Sequence, residues 1–477
     1  MTLIFDPEVA PGDFRGKRVT VVGLGKGRAT AGIARFLVAN GAHVSITDPK
    51  GRADLAEGIE RLGDTPAELI LAPSSDDAAL ADPDFVFFNQ GLRPRSSTIQ
   101  RAIHRGIPVL TEMGLFFRWC PAPIVGVTGT KGKSTTFTLI ARLLAKGRQR
   151  VVAGGNIGTS IIDLLPTIGV DDLVLLELSS FQLETLGRSP HIAVVTNVLE
   201  DHLDHHGTRE AYVAAKRNIV AWQTAADVAI LNLDDPATVE LHAGVASAVR
   251  GVSLERRPER GAWLDGDRLT LVDGARTSPL CTASELRVPG RHNVANALAA
   301  AAVGDICGIP APIIADELRA FGGLPHRLET VGEHAGVLWV NDSQGTTPYA
   351  TIPALGAYDR PAVAILGGVS KAADFAALGR AVVARARAAI LIGQAADEIA
   401  GAIDRARDPG QLDPVVVRAS SLREAVTAAR GLARSGDVVL LSPACASFDM
   451  FASYEDRGDR FKELVREFAV PVAATPG

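Results

Sequence analysis

The sequence has few cysteines and few aromatic residues, and it has no long hydrophobic run. Its four cysteines, Cys120, Cys281, Cys307 and Cys445, include no C-x-x-C pair, which argues against a disulfide framework or a cysteine-based zinc motif. No apolar run approaches the roughly 20 residues that span a bilayer, and the N-terminus lacks the basic and apolar regions of a signal peptide. Basic blocks are also absent and the net charge is −5, so we expect no nucleic acid partner and no membrane insertion. These absences favour a cytoplasmic protein that acts on small molecules.

The segment from Gly126 to Thr135 is the most informative part of the chain. It follows an apolar run, Ile124–Val127, and precedes a helical pattern, so it is typical of a strand, a tight glycine-rich loop and a helix start. Such loops bind phosphates through backbone N–H groups, with Lys133 reaching the β- and γ-phosphates and Ser134 ligating Mg²⁺. The first glycine of the usual pattern is replaced by Val127. A glycine-rich turn that binds nothing is the alternative, but the segment predicts ATP binding.

A second glycine turn lies near the N-terminus. Val19–Val22 is a predicted strand that is followed by Gly23 and Gly25, and Asp48 ends the next predicted strand. This resembles a dinucleotide fingerprint, but Arg28 stands where the third glycine is required. The turn therefore indicates either a site for a phosphate-bearing ligand or a plain structural turn.

Apolar β-branched runs alternate with amphipathic stretches almost throughout the chain, a pattern typical of parallel sheets covered by helices. With 477 residues, the chain has room for roughly two to four domains. We predict an α/β protein of three domains: a Rossmann-like domain at 1–120, a central P-loop ATPase-like domain with a mostly parallel sheet at 121–323, and a Rossmann-like domain at 324–477. Gly322 and Gly323 predict a hinge. The charged, turn-rich region 255–274 predicts a surface hairpin insertion.

Three ionisable residues of the central block stand out. Glu177 ends an apolar strand, and a buried carboxylate requires a partner, which beside a phosphate loop is either Mg²⁺ or a salt-bridging cation. His202 lies in the loop 200–207, which is either a solvated polar loop or part of a metal site; Mg²⁺ suits phosphate chemistry better than zinc does. Lys216 lies on a predicted helix, where most lysines are exposed.

At this point the chain resembles the Mur ligases of peptidoglycan synthesis over nearly its whole length. The matching stretches are Gly129–Ser134, Gly154–Gly158, Glu177–Glu184, Glu200–Asp204, Gly207–Lys216, Gly290–Ala297, Leu324–Arg327, Asn341–Ser343 and Leu441–Ser447. The Ser-Ser-Phe-Gln-Leu-Glu and Asn-Asp-Ser runs point to the member that adds D-glutamate to UDP-N-acetylmuramoyl-L-alanine through an acyl phosphate. The resemblance thus implies an ATP-dependent, ADP-forming ligase that is a monomer.

The resemblance also implies roles for individual residues. Lys133, Glu177, His202 and Lys216 would be catalytic. ATP would contact Gly129, Thr130, Lys131, Gly132, Lys133, Ser134, Thr135, Asn296, Arg327 and Asp342. Two Mg²⁺ ions would be held by Ser134, Glu177, His202 and Lys216, with Lys216 carbamylated. The uridine diphosphate would contact Gly25, Lys26, Gly27, Asp48, Asn89 and Gly91, and the muramoyl group would contact Asn156, Ser179 and Gln182. The glutamate would contact Gln344, Thr346, Lys371, Ser447, Phe448 and Tyr454.

The chain departs from the family pattern in two places. Gln344 stands where the family run Asp-Ser-Lys-Ala-Thr-Asn has its lysine. A glutamine can hydrogen-bond a carboxylate but brings no charge, and charge-assisted bonds are roughly twice as strong, so L-glutamate is an alternative amino acid. The first turn also carries extra positive charge at Lys26 and Arg28, which point either to the diphosphate or to solvent.

Other function classes compete with this interpretation. An NAD-dependent oxidoreductase would use the first glycine turn but leaves the phosphate loop and Glu177 unexplained. A nucleotide-binding regulatory or scaffold protein would bind ATP without ligase chemistry. A folate polyglutamylating ligase would share the loop but has no use for a uridine-binding first domain.

Overall fold

The structure is a computed structural model, and it describes residues 4–25, 28–72, 81–94, 96–156, 160–288, 290–370, 374–408 and 410–469. Lys26, Gly27 and Lys371, for which the sequence predicts substrate contacts, lie outside these ranges, as does the side chain of Arg28. The chain forms two compact units, Met1–Phe321 and Gly322–Gly477. Their boundary falls at the predicted glycine hinge. Within the described ranges, no helix is both long enough and apolar enough to cross a membrane.

The first sheet is a parallel sheet of Rossmann type, as predicted. Its five strands have the order β3-β2-β1-β4-β5, and every neighbouring pair is parallel. The strands are β1 (Arg18–Val22), β2 (His43–Asp48), β3 (Ala67–Leu71), β4 (Phe85–Phe88) and β5 (Val109–Leu110). The helices are α1 (Arg28–Ala39), α2 (Ala56–Leu62), α3 (Ser97–His104) and α4 (Glu112–Trp119), with a 3₁₀ turn at Pro11–Phe14. Because strand order reverses between β1 and β4, their carboxyl ends flank a crevice in which ligands bind in such folds.

The central sheet has nine strands in the order β14-β13-β12-β11-β10-β9-β6-β8-β7. The strands are β6 (Ile124–Thr128), β7 (Val151–Gly155), β8 (Leu173–Glu177), β9 (Ile192–Val195), β10 (Val228–Asn232), β11 (Ala248–Ser253), β12 (Arg260–Asp265), β13 (Arg268–Asp273) and β14 (Arg276–Thr282). The helices are α5 (Lys133–Leu144), α6 (Ser180–Leu183), α7 (Leu203–His206), α8 (Arg209–Arg217), α9 (Pro236–Leu241), α10 (Arg291–Ile306) and α11 (Ala311–Ala320), with 3₁₀ turns at Ile161–Thr167 and Ala283–Glu285. Since β6 lies between β8 and β9 and is parallel to both, the loops that follow these three strands meet at one edge of the sheet.

The predicted hairpin at 255–274 exists, but its description as a surface insertion is wrong. Strands β12 and β13 are antiparallel, and β12 also pairs with β11 in parallel, so the hairpin extends the central sheet. Ala262 and Leu269 are fully buried, and α10 packs on both strands. The charged residues of the region lie at the strand ends and turns. They obscure, in the sequence pattern, the apolar residues between them that pack in the core.

The third sheet has six strands in the order β15-β16-β20-β17-β18-β19. The strands are β15 (Glu329–His334), β16 (Val337–Asn341), β17 (Ala362–Gly367), β18 (Ala386–Ile392), β19 (Val415–Arg418) and β20 (Val438–Leu441), and the helices are α12 (Pro348–Leu355), α13 (Ala376–Arg385), α14 (Ala396–Ala406), α15 (Leu422–Leu432) and α16 (Tyr454–Ala469). Only the edge strand β15 is antiparallel among the described strands of this sheet. The predicted Rossmann-like fold is confirmed, and β15 is the strand that the sequence pattern did not predict.

The packing of α13 on α14 yields a test of the fold. A Cβ atom added to Gly379 would lie 2.3 Å from the carbonyl oxygen of Ala402, whereas one added to Gly431 on α15 would meet nothing within 4 Å. Gly379→Ala is therefore expected to lower the free energy of unfolding by about 1–3 kcal/mol. The control Gly431→Ala should raise it by about 0.5–1 kcal/mol through its higher helix propensity. Denaturant unfolding of both variants measures the two changes, and a Gly379→Ala variant as stable as the parent would contradict this packing.

Candidate active site

The loop between β6 and α5 has the backbone of a phosphate cradle. Gly129 and Gly132 have φ values of 152° and 84°, and a Cβ on Gly132 would lie 2.4 Å from Oδ1 of Asn296. Asn197 holds the loop, since its carbonyl oxygen accepts from the Thr130 N–H at 2.9 Å and its Oδ1 accepts from the Lys131 N–H at 2.9 Å. Only glycine therefore fits at position 132, and the loop is fixed before any ligand arrives.

The remaining predicted loop residues lie at the start of α5. The helix begins at Lys133, so Ser134 and Thr135 occupy its first turn, where both are partly buried. The Lys133 ammonium donates to the carbonyl oxygens of Gly129 and Thr130 at 2.9 and 3.1 Å. The ammonium group thus lies inside the loop, where it can bind a phosphate.

Glu177 is a buried carboxylate at the end of β8. It is 2% exposed, and its Oε1 accepts from Nδ2 of Asn156 at 3.1 Å. Within the described ranges, its Oε2 is buried and has neither a hydrogen-bond partner nor a salt bridge. A buried, unsatisfied carboxylate oxygen beside a phosphate loop fits a divalent cation, because hard cations take oxygen ligands.

Lys216 is buried, so the expectation that a lysine on a helix lies at the surface is wrong for this residue. The side chain is 1% exposed, and its Nζ donates to the Gly129 carbonyl oxygen at 2.9 Å and to Oγ1 of Thr128 at 3.4 Å. The ammonium also lies 4.9 Å from the ring centroid of Tyr212. Burial, followed by repulsion from Lys133, lowers the pKa of Lys216 to about 7. A large fraction of this amine is therefore neutral and nucleophilic at physiological pH.

His202 lies past the end of β9 with a left-handed backbone, φ 51°. Its side chain is 47% exposed, and its ring centroid lies 4.9 Å from that of Phe181. Burial lowers the pKa of His202, and Lys133 contributes to the same shift. Lys133 also contributes to the lowered pKa of Lys216, so its charge acts on both side chains.

Asn296 also belongs to this site. It is 5% exposed, and its Oδ1 accepts from Oγ1 of Thr136 on α5 at 3.2 Å. Asp342 and Arg327 belong to the Gly322–Gly477 unit, in which Arg327 is exposed. Asp342 accepts from Oγ of Ser442 at 2.6 Å and from the Leu328 N–H at 3.1 Å, and burial raises its pKa to about 6.

A cavity of about 280 Å³ lies at the crevice predicted for substrate. Of the predicted substrate residues it is lined by Asn89, Gly91, Asn156, Ser179 and Gln182. Ser179 caps α6, with Gln182 completing a capping box.

Gly25 and Asp48, which are also predicted to contact the uridine diphosphate, do not line this cavity. The Asp48 carboxylate is buried and accepts from the N–H groups of Leu24 and Gly25 at 2.9 and 3.1 Å. These bonds hold the first glycine turn in shape, which is a structural contribution that the sequence did not distinguish from ligand contact.

The cavity also contains residues that sequence reasoning missed. Glu112 is 6% exposed and accepts a short hydrogen bond from Oγ of Ser160, and Gln90 donates to the Gln182 carbonyl oxygen at 2.9 Å. Burial raises the pKa of Glu112 to about 7. In the sequence, Glu112 follows the apolar pair of β5 and the N-cap residue Thr111. This position at a strand end could have marked it as a candidate site residue.

Except for Lys371, the residues predicted to contact the glutamate substrate are described, and they lie within the second unit. Gln344 is exposed, with its N–H donating to the His326 carbonyl oxygen at 2.9 Å. Thr346 is partly buried, Ser447 is 2% exposed and Phe448 is 72% exposed. The Tyr454 carbonyl oxygen accepts from Oγ of Ser343 at 2.8 Å.

A buried arginine supports these residues and was also missed. Arg457 is fully buried and donates from Nε to Oγ of Ser343 at 2.9 Å, and from its guanidinium to the Cys445 carbonyl oxygen at 3.3 Å. Burial lowers its pKa to about 10. It joins the loops after β16 and β20.

The fold and the loop define an ATP-binding α/β protein, and comparison with known proteins gives its family. The model of the Mur ligase middle domain matches residues 127–304, and that of the Mur ligase glutamate ligase domain matches residues 326–445. A UDP-N-acetylmuramoylalanine–D-glutamate ligase from Pelotomaculum thermopropionicum is 42% identical over 95% of this chain and 98% of the relative. A ligase of the same name from Symbiobacterium thermophilum is 40% identical over 94% and 98%. The chain therefore belongs to the Mur ligase family.

Solved structures agree with this fold. A UDP-N-acetylmuramate–alanine ligase from Thermotoga maritima aligns with a TM-score of 0.55 at 20% identity, covering 95% of this chain and 100% of that one. A pseudomurein peptide ligase type C from Methanothermus fervidus aligns with a TM-score of 0.52 at 18% identity, covering 95% and 100%. At these identities the structures support the fold alone.

The buried Glu112 predicts a pH-dependent stability. Its pKa rises from 4.5 to about 7 on folding, so between these values the folded state holds more protons than the unfolded state. This contribution is fully present below about pH 4.5 and is lost as the pH rises through about 7, and it amounts to about 3 kcal/mol at most. The melting temperature of Glu112→Gln should therefore rise relative to that of the parent across this window.

Thermal unfolding at a series of pH values measures this difference. Glu60→Gln, an exposed substitution on α2, is the matched control. A constant difference between the parent and Glu112→Gln would contradict the buried, protonated carboxyl.

Proposed function

We infer that this chain joins D-glutamate to UDP-N-acetylmuramoyl-L-alanine with the hydrolysis of ATP to ADP and phosphate, a step in peptidoglycan precursor synthesis. The observation that carries the inference is the edge of the central sheet, where a glycine phosphate loop, the unsatisfied Oε2 of Glu177 and the buried amine of Lys216 lie in one site. Relatives that are 40–42% identical, and that match over 98% of their own length, carry the ligase name. The reaction uses ATP and belongs in the cytoplasm, and we expect the chain to act as a monomer.

We propose that the work is divided among three domains. Residues 1–120 would bind the uridine diphosphate, residues 121–323 would bind ATP, and residues 324–477 would bind glutamate. The cavity lined by Asn89, Gly91 and Gln182 supports the first assignment, since it opens at the carboxyl ends of the first sheet.

The chemistry follows from the proposed site. The alanyl carboxylate attacks the γ-phosphorus of ATP, the bond to the β,γ-bridging oxygen breaks, and ADP leaves as an acyl phosphate forms. The loop N–H groups and Lys133 stabilise the negative charge on the transferring group. The glutamate amine then attacks the acyl carbon, and the tetrahedral intermediate collapses with loss of phosphate. ATP thereby converts a poor leaving group into a good one.

Ser134, Glu177, His202 and Lys216 are the residues that would hold magnesium. When bound there, magnesium would neutralise phosphate charge. A neutral amine is the form that adds CO₂, and the lowered pKa of Lys216 supports carbamylation. The resulting carbamate would present oxygen atoms, which suit Mg²⁺ better than an amine does.

The activity is tested with ATP, Mg²⁺, UDP-N-acetylmuramoyl-L-alanine and either enantiomer of glutamate. We expect ADP release that depends on D-glutamate and the appearance of the dipeptide product. Gln344→Lys restores the charge of the family pattern and should lower KM for glutamate, because a charge-assisted bond replaces a neutral one. ATP binding without glutamate-dependent ADP release would instead indicate a regulatory nucleotide-binding protein, and a preference for L-glutamate would overturn the stereochemical assignment.

Lys216→Ala tests the carbamate. We expect the variant to lose activity by about 100-fold or more, because it lacks a metal-binding group. Short carboxylates such as acetate should restore part of the rate by entering the space left by the side chain. Lys146→Ala, which removes a half-exposed lysine paired with Glu317, is the control and should keep the parent's rate. Turnover by Lys216→Ala equal to that of the parent would refute a catalytic Lys216.

A further inference from the structure

A second group of metal-binding side chains lies beside the proposed magnesium site. Glu184 follows α6, and His205 and His206 end α7. The Nε2 of His205 lies 3.1 Å from Oε2 of Glu184, and the Nδ1 of His206 lies 3.8 Å from the same oxygen. One ligand atom from each of the three residues lies within 4.8 Å of the other two.

The orientation of His206 is the second observation. Its side chain is completely enclosed, 0% exposed, and its Nε2 lies 3.0 Å from Oγ of Ser180. Its Nδ1 is buried and has no hydrogen-bond partner among the residues that the structure describes. When Nε2–H donates to Ser180, Nδ1 presents a lone pair toward Glu184. Metal-bound histidines usually donate their other ring N–H in this way.

The spacing suits a small tetrahedral ion. Zinc binds imidazole nitrogen at about 2.0–2.1 Å and carboxylate oxygen at about 2.0–2.2 Å, which separates neighbouring ligand atoms by about 3.3–3.5 Å in a tetrahedron. The observed separations of 3.1 and 3.8 Å lie on either side of that value. Two imidazoles and one carboxylate favour zinc or cobalt over magnesium.

We propose that Glu184, His205 and His206 bind one divalent transition metal ion of the zinc class, at a site separate from Glu177 and Lys216. The ion would join the segment after β8 to the segment after β9. Phe181 lies against this cluster, with its ring centroid 4.4 Å from that of His205 and 5.6 Å from that of His206. It also contacts His202, so the metal would fix the position of the loop that carries His202.

Cobalt(II) is the probe, because its visible absorption reports coordination number and ligand type. We expect the metal-free full-length chain, in the presence of excess Mg²⁺ and ATP, to bind one Co²⁺ with a tetrahedral spectrum that one equivalent of Zn²⁺ removes. Glu184→Gln and His206→Gln should weaken Co²⁺ binding by about 10-fold or more. The control variants His43→Gln, which removes an exposed histidine on β2, and Glu177→Gln, which removes a proposed magnesium ligand, should retain the spectrum.

The variants above could lose metal binding because they fail to fold. A variant that replaces one proposed metal ligand by another avoids this ambiguity, because it predicts a new spectral band rather than a loss. His205 is mostly enclosed, with 9% of its side chain exposed, and His205→Cys should add a thiolate-to-cobalt charge-transfer band in the near ultraviolet if position 205 binds the ion. Absence of stoichiometric Co²⁺ binding by the parent chain would overturn the proposal. So would binding that Glu177→Gln abolishes and Glu184→Gln leaves intact, since the ion would then occupy the magnesium site.

Discussion

The parallel pairing of β6 with β8 on one side and β9 on the other is the constraint on which the site depends. Val127 pairs with Glu177, and Thr128 pairs with Val195, so the three strands end at nearly the same level. A shift of one residue along β8 would turn the Glu177 side chain to the opposite face of the sheet. The register therefore places the phosphate loop, the buried carboxylate and the histidine loop at one edge.

Two buried ionisable side chains at this edge of the sheet, Glu177 and Lys216, are poorly compensated by the rest of the folded chain. Glu177 has a buried oxygen that no described residue hydrogen-bonds, and Lys216 is a buried amine whose pKa falls to about 7. Both features cost free energy in an isolated chain, because buried charges are poorly solvated. Binding of a cation at Glu177 would relieve the first cost, and a Lys216 carbamate would be stabilised only when its oxygen atoms bind the same cation. The same features that weaken the fold thus favour the cation and the carbamate that we propose for this site.

Much of the fold followed from periodicity. Long apolar runs such as those of β8 and β17 have no competing interpretation, and the structure confirms them within a residue or two. The edge strand β15 and the extension of the central sheet by β12 were missed or misjudged, because charged residues at strand ends resemble a solvated loop. Such strands are stabilised by pairing with distant segments, which leaves a weak signal in the local sequence.

The sequence by itself determined the phosphate loop, the family, and the presence of Glu177 and His202 at strand ends, because strand, loop and helix-start signals are local. Only the tertiary structure decided that Lys216 is buried, that Glu112 lies in a cavity, and that His206 places near Glu184 a nitrogen that no described residue hydrogen-bonds. Burial and pKa depend on which segments pack together, and that packing is a property of the assembled sheets rather than of any short stretch of chain.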